Sequence, residues 1–65
     1  MGKIQILSST NDDYKVGDTI AMMQFLSDYF RSCTDKDDVA YLQGIPMPSA
    51  VDIIAKRLGF EYKFV

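Results

Sequence analysis

The chain has 65 residues with nine acidic and seven basic side chains, no histidine, one cysteine and a net charge of −2, and 48% of it is apolar and 12% aromatic. That length bounds it to one domain, residues 1–65, near the size at which a single core only just offsets the entropy of ordering, while the apolar content is too high for disorder. A pI near 4.7, with no cationic cluster larger than Lys56 and Arg57, argues against generic nucleic-acid binding and against anionic lipid surfaces, which are held by grouped cations.

Compartment follows from the same inventory. Cys33 has no partner for an internal disulfide, so the staple usual in small secreted scaffolds is missing and a reducing, cytoplasmic setting is expected. The first residues alternate charged and apolar side chains instead of forming a continuous apolar core, so no signal peptide is expected. The longest strictly apolar run is residues 20–23, far short of a membrane span.

In chain order, residues 3–8, KIQILS, alternate with Ile4 and Ile6 on one face, the pattern of a first strand. Residues 8–17, SSTNDDYKVG, have loop composition. The plain reading is a solvated connector, although a loop of that length in so small a domain is also where function often sits.

Asp18 or Thr19 is then expected to cap a long helix running to about Cys33. On a wheel of 100° per residue, Met22, Met23, Phe25, Leu26, Tyr29, Phe30 and Cys33 fall in an arc of about 160°. That is wider than one buried stripe, so part of it is free to meet a second copy or another protein unless the rest of the chain covers it all. Met22, Phe25 and Tyr29 stand for this face as candidate partner-binding residues, since methionine and aromatic side chains suit adaptable contacts.

Residues 34–43, TDKDDVAYLQ, predict a short helix capped by Thr34 or Asp35, with Asp35, Asp37 and Asp38 crowding its positive end. These three acids form a second candidate partner-binding patch, one that steers toward a basic surface. Gly44 ends the helix and residues 45–48, IPMP, make a stiff link.

The final helix starts in one of two ways: Ser49 caps it with Asp52 completing a capping box, or Pro48 occupies its first turn. Val51, Ile54, Ala55 and Leu58 form its apolar stripe, Asp52 and Lys56 an outward pair, and Gly59 a left-handed stop, with Phe60 expected to fold back on Ala55 or Ile54. Phe60, Tyr62 and Phe64 alternate with Glu61 and Lys63 in a last strand. Residues 51–65, VDIIAKRLGFEYKFV, resemble the helix-to-strand unit near the start of periplasmic amino-acid-binding proteins. The resemblance implies helix, glycine and strand, and carries none of that family's ligand residues.

Catalytic machinery is scarce. Without histidine and with one cysteine, zinc sites and Ser/His or Cys/His dyads cannot be assembled in one chain. The acids from Asp35 onward fail as a calcium loop, because the sixth place is Ala40 and the twelfth Pro46 instead of glycine and glutamate. The four glycines stand singly and make no phosphate cradle, and Cys33 at the end of an apolar helix reads as a packed thiol. No metal, cofactor or enzymatic activity is expected.

The elements predict an α+β domain ordered strand, helix, helix, helix, strand. Its two-stranded sheet is expected to be parallel, reached by a right-handed crossover and covered by helices, an antiparallel pair requiring uneven helix stacking. Open edges of so small a sheet invite homodimerisation or strand addition. The function expected is that of a small acidic interaction protein, an adaptor or inhibitor of the kind phages and mobile elements encode, binding another protein and acting without catalysis. The alternative is a helix-turn-helix DNA-binding regulator using residues 34–58.

Overall fold

A computed structural model describes residues 2–65. The elements in order are β1 (Lys3–Ser9), β2 (Thr19–Ala21), α1 (Met22–Ser32), α2 (Lys36–Gln43), α3 (Met47–Leu58) and β3 (Phe60–Phe64). The class is α+β with three helices, as the periodicities predict. The sheet, however, has three strands in the order β2-β1-β3, and both pairings are antiparallel.

β2 accounts for that difference. Residues 19–21 carry the start of the helical pattern, yet Ile20 lies opposite Ile4 in the ladder, and its side chain packs against the core. Tertiary pairing overrides local propensity here, so neither Asp18 nor Thr19 caps α1; Ala21 occupies the N-cap with no side-chain bond. The hairpin also returns the chain to the foot of β1 before any helix begins: Met22 N–H donates to Gly2 C=O (2.7 Å). The three helices then carry the chain to the other end of β1, where Thr10 N–H donates to Gly59 C=O (2.8 Å). From there β3 has only one way to run along β1, and that is antiparallel.

The segment read as a solvated connector closes this hairpin. Gly17 N–H donates to Ile6 C=O (2.8 Å) and Ile6 N–H to Asp18 C=O (2.9 Å), extending the ladder beyond β2. Asn11 Oδ1 accepts from Asp13 N–H (2.9 Å), a side-chain turn of the sort asparagine makes. The loop also supplies an anchor, Tyr14, whose ring stacks on Phe60 (centroids 4.9 Å apart) and meets Phe25 edge-on (5.9 Å).

The helices cover one face of the sheet. Ile4 and Ile6 point into that face together with Phe60, and α3 lays Val51, Ile54 and Ala55 over them, all 5% exposed or less. Partner residues shift from Ile6 with Tyr62 to Ser8 with Glu61, which leaves Leu7 as a bulge and keeps Ser9 opposite Phe60.

The boundaries of α2 and α3 are marked by specific residues. Asp35 caps α2, its carboxylate accepting from the N–H groups of Asp37 (3.0 Å) and Asp38 (3.2 Å), and Gly44 ends it. Pro48 stands in the first turn of α3 and no side chain caps it, so Ser49 and Asp52 form no capping box. Asp52 instead pairs with Lys56 (3.1 Å) and accepts a bond from the Tyr62 hydroxyl (3.4 Å). Gly59 closes α3 at φ 86°, where a Cβ would lie 2.5 Å from Thr10 Oγ1. Glycine is needed there both for the left-handed backbone and for the close approach of the loop.

Candidate functional site: an apolar groove between the three helices

The two flanks of α1 have different fates. Phe25 and Leu26 enter the core at 2% and 6% exposure, while Met22, Tyr29 and Phe30 pack partly buried against its rim and Met23 stands 73% exposed. The wide arc is therefore finished on one side only. On the open side lies a groove of about 650 Å³ whose walls come from α1 (Met23, Leu26, Phe30), α2 (Val39, Leu42), the turn after it (Ile45) and the start of α3 (Met47, Ala50). Ser27, Arg31 and Gln43 supply its polar rim.

Local structure explains why the groove stays open. α2 is held at the far side of α3 by a charged joint: Arg57 Nη1 donates to Asp38 Oδ2 (2.6 Å) and to the Tyr29 hydroxyl (3.2 Å), tying together one residue from each helix. The Asp38 carboxyl is held below the usual carboxylate range by that hydrogen bond and by the charge behind it. Prolines flank Met47 on both sides, and Met47 stands 40% exposed at the groove's edge.

The residues singled out in the sequence divide accordingly. Phe25 is a core residue, touching Phe60 edge-on (5.7 Å) and Tyr14, and its side chain is closed to a partner. Met22 and Tyr29 are partly buried, and Tyr29 is engaged with Arg57. Asp35 is occupied in capping α2, Asp38 is paired with Arg57, and Asp37 remains exposed with its carboxylate toward solvent. The structure brings Tyr29 and Asp38 together through Arg57, which the sequence marks only as part of the Lys56–Arg57 pair of cations.

Sequence reasoning did not single out Val39, Ile45 and Met47 as site residues. Ile45 and Met47 belong to the stretch 45–48 expected as a stiff link. Ile45 and Met47 flank Pro46 in the passage from Gly44 into α3, and Val39 lies one turn into α2, so no single periodic stripe joins the three.

Other chemistry is sparse. Among the described residues no group of three or more cysteine, aspartate or glutamate side chains is placed to hold a metal ion, and no described helix is long and apolar enough to cross a membrane. Cys33 is partly buried at the end of α1, its thiol 3.8 Å from Asp35 C=O. Comparison with known proteins finds no matching family model, no matching curated protein and no matching solved structure.

Proposed function

We propose that this protein works by binding another protein, without catalysis, and that the groove between α1, α2 and α3 is its docking face. One observation carries the reading: an open, mostly apolar channel of about 650 Å³ flanked by exposed Met23 and Met47. Flexible thioethers beside Phe30 and Leu26 suit the apolar face of an amphipathic helix, whose side chains enter such a channel at i, i+3 or i+4, and i+7. The exposed acid Asp37 and the net charge of −2 favour a partner with a basic surface, through faster encounter more than through tighter binding. An adaptor or inhibitor acts in this way.

The competing reading is DNA binding by α2 and α3, which are joined by the three residues 44–46 as in a helix-turn-helix. Against it, α3 spends Ala50, Val51, Ile54 and Ala55 on the core, and its exposed first turn, Met47, Pro48 and Ser49, carries no cation to meet phosphate or base.

The test is capture of a partner by the whole chain, repeated with Met23→Lys and Asp37→Lys. Both positions are exposed, so the fold survives the change. Met23→Lys should abolish capture, and Asp37→Lys should slow association and flatten its salt dependence. A partner retained unchanged by both variants removes the groove as the docking face. Salt-sensitive shift of duplex DNA at about 50 mM salt supports the regulator instead.

A further inference from the structure

We propose that the free edge of β3 pairs with the same edge of a second copy, antiparallel across a two-fold axis at Tyr62, to make one continuous six-stranded sheet. This uses a different face from the helix groove, so either reading stands if the other fails.

Backbone direction opens the case. Val65 N–H donates to Lys3 C=O (3.0 Å), and Gln5 and Lys63 are partners two residues further along the same ladder. Hydrogen-bonded and non-bonded pairs alternate in an antiparallel ladder. Tyr62 and Phe64, opposite Ile6 and Ile4, therefore fall in the non-bonded pairs, and their N–H and C=O groups point away from β1. Among the described residues no strand lies on that side, because β3 is an outer strand of the order β2-β1-β3. An unpaired row of this kind is a template for another strand. The opposite edge is the three-residue β2, a much shorter template.

Space is available at the same place. A second groove of about 500 Å³ runs between α3 and β3, lined by Asp52, Ala55, Lys56, Phe60, Glu61 and Tyr62. It is a slot between a helix and a strand edge, shaped to take one more strand and the side chains on that strand's inner face.

Charge identifies the occupant. β3 reads FEYKF, with one acid and one base placed symmetrically about Tyr62. A two-fold axis at Tyr62 sets Glu61 of each copy opposite the partner's Lys63, in non-bonded pairs where side chains come closest. Moving the axis to residue 61 or 63 opposes two glutamates or two lysines, so the two charges select one symmetric register. The same register sets Phe60 opposite the partner's Phe64. Phe64 is 43% exposed in the single chain, and in the pair it enters the slot beside Phe60. Tyr62 faces its own counterpart, with both N–H and both C=O groups bonded across the axis.

Sedimentation equilibrium on the whole chain up to about 1 mM, with amide hydrogen exchange followed by NMR, tests this. The expected result is a monomer–dimer equilibrium in which the Tyr62 and Phe64 amides gain protection as concentration rises. Glu61→Lys alone, or Lys63→Glu alone, sets two like pairs against each other and should weaken the dimer about tenfold or more. The double variant Glu61→Lys/Lys63→Glu should restore it. An equimolar mixture of the two single variants should restore it too, as a heterodimer. A monomer at the highest concentration overturns the proposal. So does a dimer indifferent to these variants whose Tyr62 and Phe64 amides exchange freely, since its contact lies elsewhere. An unrelated extended peptide that protects these amides while the chain alone stays monomeric also overturns self-pairing.

Discussion

Arg57 is the side chain that most decides how the helices sit. Its guanidinium reaches Asp38 on α2 and Tyr29 on α1 from the last turn of α3, a span that suits a rigid planar donor better than the flexible ammonium of lysine. The hydrogen bond from Arg57, and then its charge, lowers the pKa of Asp38. A carboxyl with a lowered folded pKa contributes stability that is present above its unfolded value, about 3.9, and lost as pH falls through the folded value. Acid titration followed by circular dichroism should therefore show stability declining below about pH 4, and Asp38→Asn should flatten that decline while lowering stability at neutral pH. At the alkaline end the signs reverse. Burial, and then neighbouring carboxylates, raises the phenols of Tyr14 and Tyr62, so their contribution is complete below the unfolded tyrosine value near 10 and is lost as pH rises through the folded ones.

At the scale of elements, two helix starts that look alike in sequence work differently. α2 has a side-chain cap in Asp35, whereas α3 follows Pro46 at its N-cap, has Pro48 in its first turn and leaves Ser49 without a capping bond. Asp35→Ala should cost about 1 kcal/mol, and Ser49→Ala should fall within about 0.5 kcal/mol of the parent, both read from urea unfolding. Equal losses at the two positions contradict this assignment of caps. β1 and β3 were legible because strict alternation leaves one solution for which face is buried: Ile4 and Ile6 inward, and Phe60 and Tyr62 inward. β2 was not, because three residues are too few to show a period and Thr19–Ala21 continues the apolar pattern of α1. The candidate site was half legible. Periodicity gave the wide arc of α1, but the side of that arc that closes depends on where α3 lies, and so Phe25 went to the core while Met23 stayed outside.

For the molecule as a whole, the margin is narrow. Stability of about 0.05–0.15 kcal/mol per residue gives a chain of this length roughly 3–10 kcal/mol. Ile54 is fully buried at the centre of the core, and Ile54→Ala should cost about 2–5 kcal/mol, enough to consume most of the lower half of that range. Thermal unfolding should show the loss as a large fall in Tm, and a fall of only a few degrees means that the neighbouring side chains collapse into the cavity. Class, helix count and most helix ends were determined by the sequence alone, since caps, glycine stops and apolar periods act within a few residues of one another: Asp35, Gly44 and Pro48 do their work locally, as Gly59 does in closing α3. Only the tertiary structure decided the direction and number of strands, the depth of Phe25 and the partner of Arg57. Those depend on contacts between residues far apart in the chain, such as Ile4 with Ile20 and with Phe64, and local chemistry does not encode which distant surface will arrive.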